Sequence, residues 1–108
     1  MIIHYQYNPL IMKTKSEYIQ ILQSRADELR QKFGVHSLRL FGSVARGENT
    51  AKSDVDICVD MEPKLYKFIE LGMYLENLFG CKVDVVRMHR NMNLILKGEI
   101  ERDGIFIL

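Results

Sequence analysis

Hydrophobic residues recur at two different periods along this chain, and the points where the period changes mark its elements. Over 16–33, Tyr18, Ile19, Leu22, Ala26, Leu29 and Phe33 return every three or four positions, with Glu17, Gln23, Arg25, Glu28 and Arg30 on the wetter side. This predicts one amphipathic helix with Ser16 as its N-cap and Gly34 as its stop. A first strand is predicted over 35–41. A second covers 55–60, where alternation is strict: Val55, Ile57 and Val59 face one way, and Asp54, Asp56, Cys58 and Asp60 the other. Met61-Glu62-Pro63 breaks the pattern. The helix predicted over 64–79 is apolar around more than one face. Covering a sheet needs a stripe of only about 100°, so part of its surface is left for the first helix or for a partner. Gly80 ends it, a third strand follows over 82–86, and a last helix covers 93–102. After Gly104 the tail 105–108 is apolar and either adds an edge strand or docks in a partner. Residues 1–15, interrupted by Pro9, carry no such pattern and read as a peripheral arm before a single domain over 16–108.

Composition narrows the class. With 108 residues and 47% hydrophobic content the chain builds one core and has no room for a second domain. Fifteen basic against fourteen acidic residues, a net charge of +1, leave no electrostatic footprint for a nucleic-acid backbone. A processive polymerase, or any direct binder of long RNA, is therefore disfavoured. Cys58 and Cys81 lack metal-ligand spacing and read as buried free thiols. No stretch approaches the roughly 20 apolar residues of a membrane span, and the start lacks the basic and apolar regions of a leader. A reducing cytoplasm is the expected setting, with no membrane partner.

The candidate chemistry lies within 38–60. Gly42-Ser43 is followed after ten residues by Asp54-Val55-Asp56, and a further acid, Asp84, sits in Val83-Asp84-Val85-Val86. Asp54 and Asp56 share one strand face roughly 6.6 Å apart at about 3.3 Å per residue, close enough to grip one cation. Unpaired, they would repel and take up protons; Mg²⁺ is the simplest source of compensating charge. Gly42 ends an apolar strand and permits a tight turn or close backbone approach. Ser43 opens a segment whose free amides, with the serine hydroxyl, suit phosphate oxygens. As a bare pattern, two acids on a strand more often mark a solvated sheet face. The acids and the Gly42-Ser43 turn would together make a metal-triphosphate site. Asp60 lies about 13 Å beyond Asp56 along the strand, too far to share a ligand. His4, His36 and His89 have no mutual metal spacing, and Arg87, His89 and Arg90 read as a solvated basic turn. With no Walker lysine and no G-x-G-x-x-G, P-loop and dinucleotide readings fail.

Gly42-Ser43-x10-Asp54-x-Asp56, extended by Ala45-Arg46-Gly47-Glu48 and completed by Asp84, resembles the nucleotidyltransferase superfamily related to DNA polymerase beta. More narrowly it is similar to the minimal nucleotidyltransferases, the MNT antitoxins paired with HEPN-family toxins. The resemblance covers nearly all of 15–108. It implies an α/β fold, a small mixed sheet with helices mainly on one face, and it implies which strands are neighbours. The implied reaction transfers AMP from ATP to a hydroxyl, with release of pyrophosphate. Asp54 and Asp56 would hold two Mg²⁺ ions, with Asp84 as third catalytic carboxylate. Gly42 and Ser43 would seat the nucleotide, Arg46 would neutralise phosphate charge and Glu48 would tether the loop. The implied acceptor is a tyrosine of a HEPN toxin, an RNase silenced by adenylylation. Two other readings stay open: an antitoxin that occludes its toxin without catalysis, and an enzyme that modifies a small molecule such as an aminoglycoside.

Overall fold

The structure is a computed structural model that describes residues 13–108; the expected arm falls mostly on residues 1–12, outside that range. Its elements are α1 (Lys15–Ser24), α2 (Ala26–Phe33), β1 (Val35–Phe41), α3 (Gly42–Ala45), β2 (Val55–Met61), α4 (Leu65–Phe79), β3 (Val83–Arg87), α5 (Leu94–Asp103) and β4 (Ile105–Phe106). The four strands lie in the order β3-β2-β1-β4. β1 is antiparallel to both β2 and β4, whereas β2 and β3 run parallel, as a strand-helix-strand crossover through α4 requires. This is the small mixed α/β sheet that the resemblance implies.

The first helix differs from expectation. In place of one helix over 16–33 there are two, broken at Arg25 (φ −106°, ψ 10°), whose backbone N–H donates to the carbonyls of Leu22 and Gln23. The break lets Leu29 and Phe33 reach the same core as Tyr18 and Leu22. The cap is Thr14, not Ser16. Glu17 N–H donates to Thr14 Oγ1 (3.2 Å) and Thr14 N–H to Glu17 Oε1 (3.1 Å), a reciprocal capping box written in the sequence as Thr-x-x-Glu.

Strand alternation divides the core into two. On one face Leu38, Leu40, Val55, Ile57, Val59 and Val83 pack against α1, α2 and α4. Val35 joins them because the β1–β2 register shifts between Val35 and Ser37, a bulge that restores its side chain to the buried side. On the other face Phe41 and Cys58 pack against Met92 and Ile100, with Val86, Met88 and Leu96 beside them. The face that carries the acids is therefore half apolar, and α5 covers that half. Both cysteines are free thiols, Cys58 buried and Cys81 half-buried.

The apolar excess of α4 is not all absorbed: Leu65, Tyr66 and Ile69 stay exposed at its start. The tail takes the edge-strand alternative, Leu40 opposite Ile105 and Arg39 opposite Phe106. Among the described residues no helix is long and apolar enough to cross a membrane.

If α5 closes the second face through Ile100, which is fully buried, Ile100→Ala should cost about 2–4 kcal/mol. A urea unfolding midpoint that does not move would refute that role.

Candidate active site

β1 delivers the chain to the site and Gly42 turns it. Gly42 has φ +71°, a left-handed backbone, and a Cβ there would stand 2.9 Å from Cγ of Asp56 and collide with its carboxylate. Glycine is thus required twice, by conformation and by the approach of an acid from the neighbouring strand. Val44 and Ala45 are buried and anchor the short α3 behind the turn, which leaves Ser43 half-buried at the surface. The turn is closed by Arg46 N–H to Gly42 O (3.1 Å) and Glu48 N–H to Ser43 O (2.9 Å).

The acids arrive from β2 and β3. Asp56 and Asp84 are direct neighbours in the parallel register. Each lies between residues that face the large core, Val55 and Ile57 in one strand, Val83 and Val85 in the other. Both side chains therefore leave the opposite face of the sheet, the same face for the two of them. One register step further on the same face, Cys58 and Val86 are packed with α5, so the acids stand at the end that α5 leaves open. Asp54 precedes β2; its carboxylate is 3.7 Å from Lys82 Nζ.

This crowding has an electrostatic signature. The Asp56 carboxyl is pushed up from its ordinary 3.8 to about 6, first by burial, then by the charges of Asp84 and Asp54, with Glu99 adding and Arg46 opposing. Among the described residues no three His, Cys, Asp or Glu side chains form a ready-made metal cage. That is compatible with Mg²⁺, which keeps several waters and takes one or two carboxylates plus substrate phosphates rather than an all-protein cage. The hard oxygen donors and the unrelieved negative charge suit such an ion.

Arg46 is already engaged. Its Nε donates to Glu48 Oε2 (3.0 Å) and its Nη1 to Asp103 Oδ2 (2.9 Å). The expected loop tether through Glu48 is therefore present as an ion pair. Asp103 was not legible in the sequence, because it lies at the end of α5 with no local spacing to Arg46; Glu99 escaped notice for the same reason. His89 and Arg90 are exposed beyond β3, as expected of a solvated turn, while Arg87, the last residue of β3, lines an open depression with His89, Met92 and Leu96. Arg87 is half-buried and donates to Met88 O (3.3 Å). His36 lines a separate depression with Phe33 and Met61, and His4 lies outside the described residues. Ser53 stays in its loop, accepting from Thr50 N–H at 2.8 Å.

A nucleotidyltransferase domain family model matches residues 22–106. The protein adenylyltransferase MntA of Thermococcus cleftensis is 51% identical over 100 residues, covering 91% of this chain and 100% of that protein. A Methanocaldococcus jannaschii protein, provisionally named a protein adenylyltransferase, is 45% identical over 98 residues, 89% of this chain and 100% of its own length. A solved structure provisionally described as a minimal nucleotidyltransferase superposes with a TM-score of 0.70 at 32% identity, covering 86% of this chain and 95% of that one. The MNT antitoxin complex with tri-AMPylated Shewanella oneidensis HEPN toxin is alike in fold, with a TM-score of 0.60 at 20% identity, covering 83% and 71%. The chain belongs to the nucleotidyltransferase family, in its minimal, MntA-like branch.

The raised Asp56 carboxyl sets a pH dependence. Folding opposes its ionisation, so no penalty exists below about pH 4, and stability falls as pH rises through about 6. Because Asp56 is only half-buried and screened by solvent, the penalty is about 1–2 kcal/mol. In chelator at pH 7.5, Asp56→Asn should melt several degrees higher than the parent protein, and the gap should close near pH 4. A gap that ignores pH would contradict this origin.

Proposed function

We propose that this chain is a protein adenylyltransferase antitoxin, moving AMP from ATP to a tyrosine hydroxyl of a HEPN-family toxin and releasing pyrophosphate. The observation that carries this reading is the in-register pair Asp56 and Asp84 against the Gly42-Ser43 turn, in a chain half identical to an MntA adenylyltransferase.

Each residue has a role that follows from its position. Gly42, in its left-handed conformation, makes the tight turn that presents the nucleotide-binding segment beside Asp56, and the Ser43 hydroxyl donates to a phosphate oxygen. Arg46 has two of its five guanidinium N–H donors committed to carboxylates and keeps others for phosphate. Asp54, Asp56 and Asp84 are the residues that would hold Mg²⁺, two ions in all. Held by these carboxylates, Mg²⁺ would supply positive charge for the triphosphate and lower the pKa of the acceptor hydroxyl. Asp84, exposed on edge strand β3, meets the incoming hydroxyl and eases removal of its proton. The new bond forms between the hydroxyl oxygen and the α-phosphorus, and the bond to pyrophosphate breaks in line with it.

Support for a protein acceptor comes from the surface. Leu65, Tyr66 and Ile69 are exposed together at the start of α4, an apolar group that suits contact with a protein. Support also comes from the Shewanella oneidensis complex, in which an MNT antitoxin is bound to an AMPylated HEPN toxin. The two free thiols suit a reducing compartment such as the cytoplasm.

Mixing a trace of the purified chain with excess toxin, α-labelled ATP and Mg²⁺ should label the toxin in many-fold excess over the antitoxin. Mass analysis should then find AMP on a tyrosine. Asp56→Asn, or a chelator, should reduce labelling at least 100-fold. Neutralisation at one-to-one without ATP would establish occlusion instead, and a labelled small product without toxin would establish small-molecule transfer.

A further inference from the structure

We propose that Asp103 is a positioning residue for nucleotide binding: from the end of α5 it fixes the guanidinium plane of Arg46, so that the free Nη2 amino group is held ready for phosphate. The inference rests on the nucleotide role of Arg46 in the reading above.

Arg46 follows α3 directly, and its amide is bonded to Gly42 O. Left alone, an arginine at this point would sweep a wide volume, since the side chain carries about 2 kcal/mol of rotamer entropy. Two carboxylates restrain it, and they are unlike. Glu48 sits on the loop with its side chain 65% exposed. Asp103 has a side chain only 7% exposed, against 39% for Arg46. Asp103 is itself fixed by Arg102, whose Nε donates to Oδ1 (2.9 Å) and Nη2 to Oδ2 (3.0 Å). The helix that carries it is anchored by the fully buried Ile100, and Gly104 N–H closes its end on Ile100 O (2.8 Å). Of the two carboxylates, Asp103 is the more enclosed and the more extensively bonded.

The geometry leaves two donors. Nε is taken by Glu48 and one Nη1 hydrogen by Asp103. Among the described residues neither Nη2 hydrogen is bonded to an acceptor; one runs beside Nε–H and the other faces the end of the fork. The guanidinium is also close enough to the acids to oppose the charge effects on Asp56. Two arginines hold the Asp103 carboxyl down at about 2, the Arg102 bonds being the larger influence, so it stays a fixed anion at any working pH. A plain stabilising tie between α3 and α5 is the competing account. A purely structural tie would show as a lower melting temperature of Asp103→Asn with KM unmoved, so the two accounts separate experimentally.

The test is a double-mutant cycle read as KM for ATP, kcat for toxin labelling and melting temperature. An interaction that binds ground state and transition state alike shows in KM. Asp103→Asn should raise KM for ATP about 5–10-fold with kcat within about 3-fold, and in an Arg46→Ala background it should add less than 2-fold. Asp103→Glu keeps the charge but displaces it by one methylene. It should raise KM by an intermediate factor, and it carries the test if Asp103→Asn does not fold. An equal effect of Asp103→Asn with and without Arg46 would overturn the proposal. So would a lower melting temperature with KM unchanged. If Arg46→Ala itself leaves KM unchanged, the nucleotide role of Arg46 has failed, a result distinct from additivity at Asp103.

Discussion

Two carboxylates held side by side by backbone hydrogen bonding are the constraint to which the rest of this molecule answers. The parallel pairing of β2 with β3 sets Asp56 beside Asp84, and neither can withdraw without breaking the ladder. A slip of one residue in either strand would send its acid into the aliphatic core and bring a valine or isoleucine out. The core residues Val55, Ile57, Val59 and Val83, locked against Leu71, Leu75 and Phe79 of α4, therefore protect the site as much as they stabilise the fold. Hydrophobic burial on one face is used to hold electrostatic repulsion on the other.

Several local features make sense as responses to that repulsion. Gly42 has no side chain because the Asp56 carboxylate occupies the space a Cβ would need. Asp54 turns an oxygen toward Lys82. Arg46 supplies positive charge nearby, yet is itself divided between Glu48 and Asp103. Burial and the charge that remains uncompensated raise the Asp56 carboxyl to about 6.

The fifth helix joins the two halves of the acidic face. Its buried side closes the apolar patch formed by Phe41 and Cys58. Its last turn brings Asp103 to Arg46, and Glu99 adds to the charge felt by Asp56. The element that completes the core thus also trims the electrostatics of the site, and a change meant for one will be felt by the other. The exposed apolar residues at the start of α4 lie outside this arrangement.

Much of this was legible in the chain itself. Alternation in Val55-Asp56-Ile57 placed the acids on one face, the stop residues Gly34 and Gly80 bounded two helices with left-handed caps, and the Gly-Ser to Asp-x-Asp spacing pointed to the family. These are short-range signals, set by the two-residue period of a strand and the steric freedom of glycine. Other features were not legible. The break at Arg25 depends on how two helical stripes meet one core, and the reach of Asp103 to Arg46 spans 57 positions of sequence. That Cys58 is packed while Asp56, two residues earlier on the same face, stands at an open end depends on where α5 crosses the sheet. Sequence alone determined which side chains share a face, because local backbone geometry dictates it; only the tertiary structure decided which of them meet, because that depends on contacts between segments with no spacing relation along the chain.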